Sequence, residues 1–197
     1  KALIFDETYY IKDAWTLSHL GYEGSWLPDS DTKWVSGVFN TFTNSASFIV
    51  HPPLGKWLIA LPMLVFDPKN TWTWRFSSAL FGTLAVVLIM LVAKRLFQSR
   101  SAAVLAGMFF AIDGHAIVLA RTSLLDNFLM FFALLAFYFL IRDRDDARVK
   151  YAVKRSLRDA ASPELRDHLS SVIWNRPWLV ACAIALGLAR SEEHTSE

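Results

Sequence analysis

The sequence contains little cysteine and fewer charged residues than a typical soluble protein. Its 197 residues include one cysteine, Cys182, so neither a disulfide framework nor a cysteine metal site is available within the chain. Charged residues make up 19%, below the roughly 25% of an average soluble domain. The formal net charge of +2 gives no global basic field, which argues against nucleic acid as a partner. No metal-ligand spacing is evident, and no cofactor is firmly implied.

Both ends of the sequence are atypical. It begins at Lys1 with neither an initiator methionine nor a signal-peptide pattern. Segment 190–197 replaces an apolar run abruptly with charge and resembles the translation of a sequencing-adapter oligonucleotide. We expect this segment to be a non-native tail; a genuine acidic tail is the alternative.

Hydrophobic residues, at 54%, are grouped into long runs. A helix that crosses a bilayer needs about 20 mostly apolar residues. Runs 76–93, 102–120 and 124–141 approach or reach this length, and 178–189 begins a fourth. Run 57–66 is too short to cross, which favours an interfacial helix. The sequence therefore predicts an all-α, polytopic helical membrane protein with about three complete spans and part of a fourth. Its eight Trp and fifteen Phe are typical of interfacial belts and lipid-facing helices.

The distribution of basic residues predicts the orientation of these runs. Segment 94–101 carries three Lys or Arg and no acid, and segment 142–177 carries nine. Cytoplasmic loops are enriched in Lys and Arg, so both segments are expected inside and 1–74, which has seven acids and no Arg, outside. The predicted organisation is an external loop with interfacial helices (1–74), transmembrane helices (75–141), a cytoplasmic loop (142–177), the start of a further span (178–189) and the tail (190–197).

Local patterns refine the two polar segments. Residues 13–20, ending at Gly21, predict a short amphipathic helix. Residues 23–47 are rich in Ser, Thr, Asn, Asp and Gly and predict an irregular loop. Residues 143–175 alternate in charge at helical spacing, which predicts a solvated surface helix.

An acidic pair, Asp6 and Glu7, opens the external segment. A carboxylate in a partly desolvated cleft has a raised pKa, which suits a general base. The alternative is structural: Asp6 caps a helix that starts near Thr8.

A rigid cationic turn, from His51 to Lys56, ends the same segment. Two prolines fix the chain direction, so the imidazole and the ammonium are candidates to hold an anion at the interface. The alternative is a proline-initiated interfacial helix with Lys56 as a snorkelling side chain.

Further charges lie where the apolar runs meet the outer boundary. Arg75 is a candidate phosphate ligand or a simple anchor. Arg121 and Asp126 lie at or within a run, where charges usually line a functional cavity or pair with each other. Asp113 and His115 interrupt the second run, and packing is their simpler interpretation. Expulsion of a phosphate requires fixed cations, and transfer of a sugar to a hydroxyl requires a carboxylate to take the proton.

Five stretches carry a family resemblance. They are 5–15 (FDETYYIKDAW), 21–23 (GYE), 50–57 (VHPPLGKW), 74–82 (WRFSSALFG) and 120–128 (ARTSLLDNF). Together they closely resemble bacterial protein O-mannosyltransferases, the dolichyl- or polyprenyl-phosphate-mannose–protein mannosyltransferases of the GT-C type. The resemblance covers most of residues 3–141, and its first and third stretches are the most specific.

The resemblance implies a multi-pass enzyme of the bacterial plasma membrane with its active site on the extracytoplasmic face. The implied donor is mannose on a polyprenyl or dolichyl monophosphate, and the implied acceptor is a Ser or Thr hydroxyl of a secretory protein. Asp6 and Glu7 match the family's catalytic motif, with Asp6 as general base in an inverting displacement and Glu7 orienting the acceptor or the loop. Membrane lipid is the remaining implied partner.

The other site residues follow from the same match. His51, Lys56, Arg75 and Arg121 are the implied ligands of the lipid phosphate. Asp126 is the implied support of the site.

The resemblance also implies segments that this sequence lacks. A first span before residue 1 and several spans after residue 189 are expected, so the chain is expected to be inactive by itself. The alternative enzyme is another lipid-phosphate-sugar transferase, which acts on a lipid or glycan with aminoarabinose, arabinose or glucose; the turn at 51–56 favours the protein mannosyl class. A non-enzymatic transport or structural membrane subunit is the alternative outside enzymes.

Overall fold

The computed structural model describes residues 3–158 and 175–191. Its elements in chain order are α1 (Glu7–Leu20), β1 (Gly24–Trp26), α2 (Ser30–Ser36), β2 (Phe42–Ala46), α3 (Leu54–Val65), α4 (Thr71–Phe97), α5 (Arg100–Ala111), α6 (Gly114–Arg121), α7 (Asp126–Arg158) and α8 (Pro177–Arg190). The predicted helical class is confirmed, with one antiparallel pair of strands added to it. Most of the predicted tail and residues 159–174 of the predicted cytoplasmic loop lie outside the described residues.

Helix α1 is longer than the sequence predicted. It begins at Glu7 rather than at residue 13, and it ends as expected at Gly21, whose φ of +81° favours glycine. The Gly21 N–H donates to the Leu17 carbonyl at 3.0 Å. The first turns contain aromatic and β-branched residues, which favour extended structure locally. Burial of Ile11, which is 0% exposed, stabilises the helix there instead.

The prediction of an irregular loop at 23–47 is wrong. Strand β1 pairs with β2 in the register Gly24 to Ala46 and Trp26 to Phe42. Helix α2 belongs to the chain segment that connects the two strands. Strand β2 is polar and largely exposed, so its sequence lacks the alternation that identifies a half-buried strand.

Four tryptophans of this region, Trp15, Trp26, Trp34 and Trp74, pack together, whereas Trp57 and Trp72 are 40% and 49% exposed. The Trp34 ring is 1% exposed and meets Trp15, Trp26 and Trp74 edge to face at centroid distances of 5.8, 5.7 and 6.1 Å. Edge-to-face aromatic pairs add to the stabilisation that comes from their buried area. This cluster anchors residues 15–34 on the first turn of α4.

Helix α4 contains the predicted first run, 76–93, in one piece of 27 residues. It is the one helix of the described residues that is by itself long and apolar enough to cross a membrane. Its exposed side chains include a stripe of apolar residues at helical spacing, Leu80, Leu84, Val87 and Leu91. A helix that is apolar on its packed and exposed sides is typical of a membrane span.

The second run, 102–120, is broken. Helices α5 and α6 meet at an angle of 63°, and together they satisfy the length and composition of a span. The Asp113 carboxylate accepts the Ala116 N–H at 2.9 Å, so it caps α6. His115 is exposed in the first turn of α6. The cap explains Asp113, whereas the exposed His115 does not fit the packing interpretation.

The remaining apolar runs form helices whose role as spans stays a prediction. Helix α7 includes most of run 124–141 and continues without a break into the predicted surface helix, up to Arg158. Helix α8 has 14 residues and α3 has 12, both shorter than a span. Helix α7 packs against α4 and α8, and α3 packs against α1 and α4.

Candidate active site

A cavity of about 550 Å³ opens between α1, β1 and the turn that precedes α3. The chemically important side chains on its wall are Asp6, Tyr10 and Asp13 from α1, Trp26 from β1, and His51 and Lys56. Binding cavities for small ligands commonly measure about 300–1,000 Å³. The three α1 residues share one face because their spacing follows the helical repeat.

Asp6 occupies the N-cap position of α1, yet its carboxylate makes no capping hydrogen bond. Among residues 3–158 and 175–191, no hydrogen bond or ion pair engages that carboxylate. The residue is half-buried on the cavity wall, and Phe5 before it has a left-handed φ of +52°. Such a backbone conformation is uncommon outside glycine. The helix-cap interpretation is therefore correct for the position of Asp6 at the start of α1. It is wrong for the side chain, which does not cap the helix.

Glu7 is turned away from the cavity and is 0% exposed. Its Oε1 accepts Arg75 Nε at 2.7 Å, and its Oε2 accepts Arg75 Nη2 at 2.6 Å. The Ile4 N–H donates to Oε2 at 3.2 Å. Two parallel bonds from one guanidinium combine charge attraction with fixed geometry. Arg75 thus joins the start of α1 to the first turn of α4.

Ser123 completes this junction from the link between α6 and α7. Its backbone N–H donates to Glu7 Oε1 at 3.2 Å, and its hydroxyl donates to the Trp74 carbonyl at 2.7 Å. The residue is 0% exposed. Segments separated by more than one hundred residues therefore meet at Glu7.

His51 and Tyr10 form a second buried pair. Tyr10 Oη lies 3.0 Å from His51 Nε2, and the two rings meet edge to face. Burial raises the pKa of Tyr10 to about 12, and the nearby charges of Asp6, Asp126 and Asp13 act in the same direction. Tyr10 is consequently a neutral phenol at physiological pH.

Lys56 has two carboxylate partners that the sequence did not predict. Its ammonium lies 2.7 Å from Glu23 Oε2 and 3.3 Å from Asp13 Oδ2, and the residue is 1% exposed. Burial raises the pKa of Asp13 to about 6, although Lys56 acts to lower it. The Lys56 ammonium is therefore enclosed by acids rather than left open for a phosphate.

Lys12 is similarly engaged. Its ammonium donates to Asp31 Oδ1 at 2.7 Å and to Ser30 Oγ at 3.2 Å. These bonds fix α2 against α1, and they leave the cavity wall without an open ammonium among the described residues.

Arg121 and Asp126 lie at the ends of α6 and α7, and both are exposed. They make no ion pair with each other in the described structure, so the pairing alternative is wrong. Asp126 lies close enough for its charge to raise the pKa of Tyr10. Arg121 precedes Ser123 by two residues, but neither Arg121 nor Asp126 lines the cavity. No group of three His, Cys, Asp or Glu residues in the described ranges is arranged to hold a metal.

Five contributing residues were not singled out from the sequence: Tyr10, Lys12, Asp13, Glu23 and Ser123. Asp13 follows Asp6 by seven residues, which places both on one helical face once the helix starts at Glu7. Glu23 lies within a matched motif, but its pairing with Lys56 joins positions 33 residues apart. That contact exists only in the folded chain.

The chain matches one protein family and several curated relatives. The dolichyl-phosphate-mannose-protein mannosyltransferase family matches residues 50–154. The chain is 32% identical to a polyprenol-phosphate-mannose–protein mannosyltransferase of Mycobacterium tuberculosis over 94% of the chain and 31% of the relative. The corresponding protein of Mycolicibacterium smegmatis is 33% identical over 94% of the chain and 32% of its own length. No solved structure matches the chain.

A third relative extends the comparison beyond mycobacteria. The polyprenol-phosphate-mannose–protein mannosyltransferase of Corynebacterium glutamicum is 34% identical over 71% of the chain and 25% of its own length. The chain thus spans about a third or less of the length of these curated relatives. The family match covers more than half of the chain, including the His51 turn, Arg75 and the Ser123 link. The chain belongs to the dolichyl-phosphate-mannose-protein mannosyltransferase family.

Proposed function

We propose that the complete protein transfers mannose from a polyprenyl or dolichyl phosphate carrier to Ser or Thr hydroxyls of secretory proteins. One observation carries this proposal most directly: Asp6 presents a carboxylate without a side-chain partner, within the described residues, on the wall of a 550 Å³ cavity. Glu7 beside it is committed to Arg75. The names of the mycobacterial relatives supply the donor and the acceptor class.

The chemistry requires one base and one leaving group. The acceptor oxygen attacks C1 of the mannosyl group, and the bond from C1 to the phosphate oxygen breaks. Asp6 takes the hydroxyl proton, and the lipid phosphate leaves with the electron pair of the broken bond. A carboxylate can act as general base only within hydrogen-bond reach of that hydroxyl, so the acceptor binds at the Asp6 side of the cavity.

Glu7 and Arg75 have a supporting role in this proposal. Their two parallel bonds fix the start of α1 and with it the direction of Asp6. Arg121, exposed and two residues before Ser123, is the proposed principal ligand of the lipid phosphate, and the Arg75 charge assists it. Fixed positive charge stabilises the phosphate as it leaves. His51 keeps its proposed phosphate contact, and Asp126 its proposed support of the site through its charge near Tyr10.

The role proposed for Lys56 differs from the phosphate ligand that the sequence implied. Its ammonium is 1% exposed and lies between Glu23 and Asp13. We infer that it holds these two carboxylates in place and does not contact the phosphate.

The proposed setting is a multi-pass protein of the bacterial plasma membrane with the cavity on its extracytoplasmic face. Lys94 and Arg95 lie in the last turn of α4, and seven acids precede that helix. The positive-inside rule then favours a cytoplasmic end for α4 and an external position for residues 1–74.

A reconstituted transfer reaction tests the activity. The complete protein in lipid nanodiscs is incubated with polyprenyl-phosphate mannose and a Thr-containing peptide, with the Thr-to-Ala peptide as matched control. We expect mannosyl peptide and free polyprenyl phosphate to form in equal amounts, from the Thr peptide only. Absence of mannose transfer to the Thr peptide, or transfer to a lipid acceptor alone, would contradict the proposal.

Cysteine labelling tests the orientation. All native cysteines of the complete protein, Cys182 among them, are first replaced by Ser, and a single cysteine is then introduced by S45C in β2 or by Q98C after α4; both positions are exposed. A membrane-impermeant maleimide applied to intact cells is expected to label the S45C protein and to leave the Q98C protein unlabelled until the cells are opened. The reverse pattern would contradict the orientation.

A further inference from the structure

One face of α1 carries two carboxylates into the same cavity. Asp6 and Asp13 both line it, with Tyr10 between them. Seven residues of helix separate the two acids by about 10 Å along the axis. Under the proposed function Asp6 acts at the reacting end of the sugar, so Asp13 lies about one sugar ring away from the reaction.

The surroundings of Asp13 do not suit an anion. Glu23 and Asp13 together place two carboxylates against the single Lys56 ammonium, which leaves this cluster with net negative charge. The other lysine of the cavity wall, Lys12, is paired with Asp31. A phosphate at this end would meet like charge, which is unfavourable in a partly buried site.

The same surroundings suit a neutral ligand with many hydroxyl groups. An ionised carboxylate only accepts hydrogen bonds, so its ligand must donate them. Lys56 engages Oδ2 of Asp13 and is the only side-chain partner of that carboxylate in the described ranges. The Asp13 side chain is 20% exposed, so the carboxylate reaches the cavity.

Aromatic side chains form the adjoining wall. Tyr9, Trp26 and Phe48 line the cavity, and Tyr9 and Phe48 are largely exposed within it. A pyranose ring has apolar C–H faces and polar edges, so it matches aromatic rings on one side and a carboxylate on the other. A binding site of apolar and aromatic groups with a few placed polar ones is the usual composition of a ligand pocket.

We propose that Asp13, held in place by Lys56, binds hydroxyl groups of the donor's sugar ring at the end of the cavity away from Asp6. Asp13 is then a specificity-determining residue for the sugar, and Lys56 is its positioning residue. This inference rests on the proposed function for the identity of the donor. In this binding mode the lipid phosphate lies toward Arg121 and Arg75.

Binding measurements separate this proposal from the transfer reaction. Dissociation constants are measured for polyprenyl-phosphate mannose and for sugar-free polyprenyl phosphate, with the complete protein and its D13N variant. A charge-assisted hydrogen bond to a ligand hydroxyl corresponds to about tenfold in affinity or more. We expect the unmodified protein to bind the mannosyl lipid at least about tenfold more tightly than the sugar-free lipid, and D13N to remove most of that difference.

Two controls make the result specific. D31N removes the exposed partner of Lys12, which lies off the cavity wall, and is expected to keep the full preference for the mannosyl lipid. D13S is a second variant for the case in which D13N fails to fold. Equal changes in the affinity for both lipids on D13N or D13S, or an unchanged preference for the mannosyl lipid, would overturn the proposal. Absence of mannosyl transfer with the sugar preference intact would instead count against the proposed function and leave Asp13 as a sugar ligand.

Discussion

The Glu7 carboxylate, fully buried, accepts two bonds from the Arg75 guanidinium, at 2.7 and 2.6 Å. These bonds hold the first turn of α1 against the first turn of α4. The two neighbouring acids therefore differ in their surroundings. Glu7 is bound to Arg75, while the Asp6 carboxylate faces the cavity.

Removal of one partner of this ion pair is expected to destabilise the protein strongly. E7Q leaves the Arg75 charge without its counter-charge, which for buried pairs costs about 3–5 kcal/mol. R75K is expected to destabilise as well, since one ammonium cannot reproduce the two parallel bonds. Thermal unfolding of the complete protein in detergent measures both effects. D31N is the matched control, because the Asp31 side chain is 54% exposed and such pairs contribute about 0–1 kcal/mol. E7Q as stable as D31N would contradict this interpretation.

The hydroxyl of Ser123 is expected to stabilise the same junction. S123A removes the bond from a fully buried hydroxyl to the Trp74 carbonyl, at a cost of about 0.5–1.5 kcal/mol. T83A removes a comparable bond from a hydroxyl to a backbone carbonyl on the exposed side of α4 and is expected to cost less than S123A. Thermal unfolding measures the difference. Equal effects of the two substitutions would count against a junction at Ser123.

The crossing of α4 and α6 is expected to tolerate no side chain at residue 82. A Cβ on Gly82 would lie 2.5 Å from Ala120 Cβ, so G82A must push the helices apart, at about 1–3 kcal/mol. G187A is the control, since a Cβ there meets nothing within 4 Å and alanine favours the helix by about 1 kcal/mol. We expect a lower melting temperature for G82A and an equal or higher one for G187A. A G82A protein as stable as the unmodified protein would contradict the close helix contact.

The raised pKa of Asp13 gives the stability a defined pH dependence. The folded state, with a pKa of about 6, binds the proton more tightly than the unfolded chain, with a pKa of 3.8. The contribution of Asp13 to the free energy of unfolding therefore falls as pH rises from about 4 to 6, by at most about 3 kcal/mol, and is constant above that. D13N is expected to remove this decline. Melting temperatures of both proteins across pH 4–8 measure it, and parallel curves would contradict the raised pKa.

The sequence predicted the helical class and four of the site positions that meet in space, Asp6, Glu7, His51 and Arg75, because apolar runs and short motifs are local signals. It missed the strand pair at 24–46, since β2 is polar and exposed and carries no alternating pattern. It also misjudged the environment of Lys56. A basic turn next to a membrane suggests an anion site, and only the fold brings Glu23 and Asp13 to that ammonium. Long-range pairing of charges leaves no periodicity along the chain.

The tryptophans illustrate the same limit. Composition alone favours interfacial belts. The structure buries Trp34 and Trp74, at 1% and 2% exposure, in a cluster that joins residues 15–34 to α4, while Trp57 and Trp72 stay exposed. Tryptophan is suited both to a protein core and to a membrane interface. Tertiary contacts decide which of the two a given tryptophan occupies, and the sequence does not display those contacts.

The D6N variant tests the central claim most directly. Mannose transfer to a Thr peptide and the melting temperature are measured on the same preparation of the complete protein. Loss of a general base is expected to lower the transfer rate by about 10²–10⁴-fold. The melting temperature is expected to stay unchanged, because no described side chain or backbone group bonds the Asp6 carboxylate. A D6N protein that transfers mannose at the unmodified rate, or that loses activity only because it unfolds, would contradict the assignment of Asp6 as the base.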